Sequence, residues 1–321
     1  MGTLRYDSYN YEMTSDDIAQ LRAARYNATV VSVQRVHSDL VILRIKPDFP
    51  RPAYKAGQYC SLGLGYWEPR VDGCQPENLS DDDRKKVVAR AYSVSSSIES
   101  IPGVLRDMTQ DDWVEFYVVL VRENLDGRVP ALTPRLFALE AGSRLKMFEK
   151  FTGHYTLDPV KDGNTVIFLG TGTGEAPHNA MLWELLNRKH SGRILHACCV
   201  RYRQDLGYMP THIRLMSEHR NYTYLPLTTR ESVGHGKVYI QDLLSSGELE
   251  QHLGQTLDPA RTHVYLCGNP KMIGIPEFDK TTHVATYPQP VGVIELLAAR
   301  GFTPDNVAAK LHGNIHFEKY W

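Results

Sequence analysis

The 321-residue sequence predicts a two-domain β plus α/β chain, an antiparallel β-barrel followed by a doubly wound parallel sheet. Three observations predict it. The length exceeds the roughly 100–200 residues of one compact domain. The first half repeats short apolar runs with a period of about two and no long helix between them, the pattern of an antiparallel barrel. The second half alternates continuous apolar runs with helical segments, as a parallel sheet covered on both faces requires. These changes of texture divide the chain into an extension over 1–27, a barrel over 28–157 and an α/β domain over 158–321.

Within the extension, Ser15-Asp16-Asp17 precedes IAQLRAARY, which reads as a capped helix with carboxylates at its positive end. From Ala28 onward TVVSVQRV, LVILRIKP, GQYCSLGLGY, RAYSVSSSI and WVEFYVVLVRE read as strands separated by Gly, Pro and Asp turns. The charged stretch from Trp67 to Val88 reads as an exposed loop. Beyond Asp158 come NTVIFLGTGTG as a strand, APHNAMLWELLNRKH as a helix, RILHACCVRY as a strand, a polar helix, then NYTYLPLTT and THVYLCGNP as strands.

Composition excludes several function classes. Lys+Arg is 36 against Asp+Glu 37, a net charge of -1, which does not suit a chain built to coat nucleic acid or an anionic membrane. No apolar run approaches the ~20 residues of a membrane span, and the first residues have no signal-peptide core, so the cytoplasm is the expected compartment. The five cysteines, Cys60, Cys74, Cys198, Cys199 and Cys267, contain no C-x-x-C and form neither a disulfide framework nor a metal or cluster ligand set. Any electrons moved here need an organic carrier.

The strongest local motif is VIFLGTGTGEAPHNAMLWELL, a buried strand running through Gly170-Thr171-Gly172-Thr173-Gly174 into a helix. Glycines there let the backbone approach a pyrophosphate whose charge meets helix-terminal N–H groups. The spacing is G-x-G-x-G rather than the G-x-G-x-x-G dinucleotide fingerprint, and an ordinary strand-to-helix turn has the same look.

Two further motifs accompany it: Arg90-Ala91-Tyr92-Ser93 on an expected barrel strand, and Cys267-Gly268-Asn269-Pro270 at the end of a strand of the second half. The chain stops at Glu318-Lys319-Tyr320-Trp321. In this order, from about Ala28 to Trp321, these motifs resemble the ferredoxin–NADP+ reductase family, in particular its bacterial flavodoxin/ferredoxin reductases with an aromatic pair at the end.

The resemblance implies an FAD-binding barrel and an NADP(H)-binding α/β domain. It implies that Arg90 faces the flavin pyrophosphate, that Tyr92 stacks on the isoalloxazine and that the Ser93 hydroxyl sits near its N5 edge. DGRVPALTPRL resembles the second flavin segment, with Leu132 and the Thr133 hydroxyl at FAD phosphate; the same Thr133-Pro134 also reads as a helix cap. Cys267 and Gly268 fall beside the nicotinamide, Cys267 packing rather than attacking, because hydride transfer needs no covalent intermediate. Glu318 neighbours that pocket, and Tyr320 and Trp321 stack on cofactor. Arg201, Arg230 and Lys237 match positions for the phosphate that distinguishes NADP from NAD, with Tyr202 and Arg203 near adenine. Glu175 is a departure, because a carboxylate facing the pyrophosphate would repel it, so it is expected to point away.

The expected activity is electron transfer between NADPH, as hydride, and a ferredoxin or flavodoxin, one electron at a time, by a monomer or weak oligomer using FAD. Arg84, Lys85, Lys86, Lys146 and Lys150 are candidates for the basic patch an acidic partner needs. Two rivals remain open: an NADH-dependent reductase serving an oxygenase or haem protein, and a flavin-binding module without turnover.

Overall fold

The computed structural model describes residues 13–124, 128–231, 237–279, 281–282, 284–306 and 308–320. Its first helix, α1 (Ser15–Arg25), takes in the Ser15-Asp16-Asp17 stretch that reads as its cap. The cap is Thr14: its hydroxyl accepts the Asp17 N–H at 3.1 Å, and the Asp17 carboxylate accepts the Thr14 N–H at 2.9 Å. No side chain of α1 is buried. Polar contacts hold it instead, through Glu68, which accepts from Arg22 Nε and from the Tyr26 hydroxyl, each at 2.9 Å.

Six antiparallel strands then close a barrel in the order β1 (Ala28–His37), β2 (Leu40–Pro47), β7 (Val114–Val119), β4 (Val87–Ser95), β3 (Tyr59–Gly65) and β8 (Arg144–Met147). Alternation explains the closure: Val30, Leu43, Leu62, Val94, Phe116 and Leu145 each turn one apolar face inward and share a single core. Between β4 and β7 lies the hairpin β5 (Glu99–Ile101) and β6 (Val104–Leu105).

The stretch from Trp67 to Val88 is not the free loop its charge suggested. It contains the turn α2 (Asp81–Arg84) and is tied to α3 (Thr133–Leu136) by Arg135, whose Nη1 and Nη2 donate to the two Glu77 oxygens at 2.9 and 2.7 Å. Both partners are buried, which permits two charges only because each satisfies the other.

The second half is a parallel sheet ordered β11 (Tyr222–Thr228), β10 (Ile194–Val200), β9 (Thr165–Thr171), β12 (Thr262–Gly268), β15 (Ile315–Lys319). Helices α4 (Glu175–Asn187) and α5 (Met209–Glu218) cover one face. On the other lie α6 (Ile240–Ser246), α7 (Glu248–Leu253), α8 (Pro270–Ile273) and α9 (Val293–Ala298). A small ribbon, β13 (Glu277–Phe278) with β14 (Ala285–Thr286), lies between α8 and α9 in the chain. β15 went unread in the sequence, where the end of the chain looked like a tail. No described helix is long and apolar enough to cross a membrane. Barrel and sheet meet over a joint core of Leu40, Ile42, Tyr117, Ala176 and Tyr208.

Candidate functional site

The strand order reverses between β9 and β12, and in open α/β sheets the crevice beyond the carboxyl ends at such a point is where ligands bind. The glycine turn sits there, as a 3-10 turn over Gly172–Gly174 leading into α4. Its glycines have different reasons. A Cβ on Gly174 would stand 2.2 Å from the Cys267 carbonyl oxygen, and one on Gly268 2.3 Å from Thr171 Oγ1, so these two let β9 and β12 approach. Gly172, at φ +54, would meet nothing within 4 Å: its side faces open space, where a dinucleotide has room. The Thr171 hydroxyl accepts the Asn269 N–H at 2.8 Å and locks the two turns together, with Thr173 half-exposed beside them.

Next to β12, β15 places Glu318 opposite Cys267, and the Tyr320 N–H continues the ladder to the Gly268 carbonyl at 3.2 Å. The barrel reaches the same spot through β4. The Tyr320 hydroxyl donates to Ser93 Oγ at 2.7 Å, and Ser93 Oγ donates to Glu318 Oε2 at 3.2 Å. Ser93, Cys267, Glu318 and Tyr320, more than 220 positions apart at the extremes, thus form one cluster across the two halves. Burial sets its electrostatics. It pushes the Glu318 carboxyl up to about 7, against the pull of the Ser93 hydrogen bond. It also drives the Cys267 thiol and the Tyr320 phenol well above their ordinary values, so both stay protonated. A carboxyl that titrates near neutrality can hold or release a proton at working pH.

On the barrel wall, Tyr92 is half-buried opposite Cys60, and burial raises its phenol. Arg90 and Ala91 are exposed, Arg90 with Nη1 donating to the Ala89 carbonyl at 2.8 Å. Thr133 departs from the reading in which it caps a helix. It is the first residue of α3 behind Leu132, and its hydroxyl accepts the Val121 N–H at 3.1 Å. Trp321 lies outside the described residues.

Arg201 and Arg230 end neighbouring strands, and the Arg230 N–H donates to the Arg201 carbonyl at 2.9 Å, so the two residues sit side by side. Both are exposed, as is Lys237, whose Nζ lies 4.9 Å from the centre of the Tyr239 ring. Acidic groups temper this region: Asp205 Oδ2 is 3.7 Å from Arg201 Nε, and Glu231 accepts the Arg203 N–H at 2.6 Å. Of the basic-patch candidates, Lys86 pairs with Asp83 at 2.7 Å and α2 brings Asp81 and Asp82 beside it; Lys146 lies over the ring of the exposed Phe148. That leaves Lys146 and Lys150 as the part of the patch without an acidic run.

Glu175 turns into the interior, fully buried beneath the turn, with its Oε1 accepting from the Tyr224 hydroxyl at 3.2 Å. Sequence reasoning missed its companions His196 and His212, fully buried like His178, because each sits inside an otherwise ordinary strand or helix.

A family model described as an oxidoreductase NAD-binding domain matches residues 168–277. The chain is 31% identical over 224 residues to a flavodoxin/ferredoxin–NADP reductase of Shigella flexneri, covering 68% of this chain and 76% of that protein. It is 27% identical over 297 residues to the flavodoxin/ferredoxin–NADP reductase of Buchnera aphidicola subsp. Schizaphis graminum, covering 92% and 98%. A crystal structure of a ferredoxin NADP+ reductase from Neisseria gonorrhoeae with bound FAD and NADP superposes with a TM-score of 0.66 at 21% identity, over 91% of this chain and 97% of that one.

Proposed function

Since this chain belongs to the flavodoxin/ferredoxin–NADP reductase family, we infer that it is an FAD-dependent oxidoreductase moving electrons between NADPH and a ferredoxin or flavodoxin. The observation that carries the reading is the Tyr320–Ser93–Glu318 hydrogen-bonded chain, which joins the barrel to the sheet at the switch point. The residues fit a flavin and a nicotinamide there: a hydroxyl, a thiol and a carboxyl near its neutral point cluster where the two halves meet, and among the described residues nothing lies in front of Gly172. When bound, FAD supplies the exchange between a two-electron hydride and single electrons.

The chain's own residues do the rest. Tyr92 and Tyr320 offer ring faces for stacking, Arg90 a guanidinium fork for the flavin pyrophosphate, and Ala91, Leu132 and Thr133 the surrounding wall. Gly170, Thr171, Gly172, Thr173 and Gly174 receive the coenzyme pyrophosphate, and Arg201, Arg230 and Lys237 its extra phosphate. Cys267 and Gly268 form the floor against which the nicotinamide packs. Glu318 holds a proton near neutrality and orients Ser93, whose oxygen Tyr320 fixes from the other side.

Lys146 and Lys150 fit the partner's acidic surface. Five free thiols are in keeping with a reducing compartment, and the cytoplasm is the proposed one.

An anaerobic absorbance titration tests the reading. The purified protein is expected to show oxidised-flavin bands that bleach with NADPH at far lower concentration than with NADH, and to recover when ferredoxin or flavodoxin is added. A colourless protein that cannot be reconstituted with FAD, or bleaching by NADH alone, would overturn it.

A further inference from the structure

The segment between β10 and α5 holds Arg201, Tyr202 and Arg203 at the surface and closes on itself only in a short turn over Arg203–Asp205. The barrel supplies a second anchor. Tyr117, on β7, donates its hydroxyl proton to the Asp205 carbonyl at 2.8 Å and accepts the Gly207 N–H at 3.1 Å. Its ring stacks on Tyr208 with centroids 5.1 Å apart. The Tyr208 hydroxyl in turn donates to Glu115 Oε1 at 2.9 Å and lies 3.0 Å from Ser95 Oγ. At the far side of the segment, His37 Nε2 lies 3.1 Å from Asp205 Oδ1.

Asp205 is the hub of this arrangement. Besides His37, its carboxylate receives the Tyr202 N–H at 3.1 Å and holds the Arg201 guanidinium at 3.7 Å. Gly207 is required for the fit, because a Cβ there would stand 2.7 Å from the Tyr117 ring. The Arg230 backbone is fastened to Arg201 itself. One buried phenol, belonging to the barrel, therefore fixes the backbone of a segment whose exposed cations lie in the other half of the molecule.

We propose that Tyr117 is a specificity-positioning residue: through Asp205 and Gly207 it sets where Arg201 and Arg230 stand, and hence how well the site takes a ribose 2′-phosphate. This rests on the reading of those arginines as the phosphate ligands. Removing the phenol oxygen leaves the Gly207 N–H and the Asp205 carbonyl without their partner while the Tyr208 stack persists, so the segment loosens and the ring core does not. Coenzymes without the 2′-phosphate do not use these arginines and should not register the change.

The test is calorimetric titration of flavin-loaded wild type and Tyr117→Phe with 2′-phospho-AMP and with AMP, alongside steady-state kinetics with NADPH and NADH. The expected result for the variant is roughly five- to tenfold weaker 2′-phospho-AMP binding and a similar rise in KM for NADPH. AMP binding, flavin content, kcat and the NADH kinetics should stay as in wild type. Unchanged 2′-phospho-AMP affinity, or KM values for both coenzymes rising together, would overturn the proposal while leaving the reductase reading intact. A wild type that binds 2′-phospho-AMP no better than AMP would instead overturn the phosphate reading on which it rests. Should Tyr117→Phe fail to load flavin, Gly207→Ala, whose Cβ would stand 2.7 Å from the Tyr117 ring and push the segment off it, carries the same expectation.

Discussion

Glu318 shows how a single residue acquires its chemistry from its surroundings. A carboxyl on a strand end would titrate near 4.5, but burial moves it to about 7, and the hydrogen bond from the Ser93 hydroxyl favours its charged form. Deleting that bond should move the group further up. In a stopped-flow study of flavin reduction by NADPH, a pH dependence centred near 7 is expected for the wild type. Glu318→Gln should flatten it, and Ser93→Ala should shift it to higher pH with a rate roughly ten- to a hundredfold lower, since the pocket loses the atom that Tyr320 and Glu318 both position. A pH profile identical in all three proteins would remove Glu318 from the reaction. The identities of Ser93, Cys267, Glu318 and Tyr320 were legible in three short motifs. Their order of hydrogen bonding was not, because it depends on β15 lying beside β12, and five residues reading IHFEK alternate too briefly to announce a strand.

At the scale of one element, the glycine turn separates what the fold needs from what a ligand needs. Gly174→Ala would press a methyl to 2.2 Å from the Cys267 carbonyl, an atom that cannot yield without parting β9 from β12. Thermal denaturation should show a loss of several degrees in Tm, together with weaker coenzyme binding. Gly172→Ala meets nothing within 4 Å, so its only structural cost is the positive φ, about 1 kcal/mol. It should leave Tm nearly unchanged and still weaken NADPH binding, because the added methyl occupies the face left open. Equal effects of the two substitutions on Tm would contradict this division. The strand, turn and helix were read correctly from VIFLGTGTGEAP, since a continuous apolar run ending in glycines has few other solutions. The different duties of Gly172 and Gly174 were invisible, as both are simply glycines until β12 is placed against them. The same limit hid β8, whose RLKM is four residues of mixed polarity that only the closing barrel pairs with β1 and β3.

Across the whole molecule, one feature works against the stability that the apolar cores supply. Under α4, Glu175, His178, His196 and His212 are fully buried; among the described residues Glu175 Oε2, His178 Nδ1 and both His196 ring nitrogens have no hydrogen-bond partner, and His212 Nε2 lies 3.4 Å from Glu175 Oε1. The rings stack in sequence, His178 to His196 at 5.5 Å and His196 to His212 at 4.9 Å, with Tyr155 bonded to His178 Nε2 at 2.7 Å and Tyr222 to His212 Nδ1 at 2.8 Å. Burial takes every member neutral: Glu175 up to about 8, His212 down to about 3, and His178 and His196 well below 6.5.

Each histidine, with its folded value depressed, contributes stability above pH 6.5 that is lost as pH falls toward its folded value, because the unfolded chain takes up a proton that the folded one refuses. Glu175, with its folded value raised, contributes stability that is whole below its ordinary 4.5 and is lost as pH rises through about 8. Between about 4.5 and 6.5 three histidine protons oppose one carboxyl proton, so the cluster alone makes stability climb with pH by roughly two protons' worth, near 1.4 kcal/mol per pH unit for each. From about 6.5 to 8 only the Glu175 term acts, and stability declines at half that slope. Chemical denaturation followed from pH 5 to 9 should therefore peak near pH 6.5 to 7. Glu175→Gln should remove the decline on the alkaline side and steepen the acid side from about two protons' worth to three. His196→Phe, which keeps a ring between His178 and His212 and discards two unsatisfied nitrogens, should lessen the acid slope by about half. Should both variants reproduce the wild-type curve, the cluster titrates in the folded protein as it does in the unfolded chain, and its burial has no influence on stability.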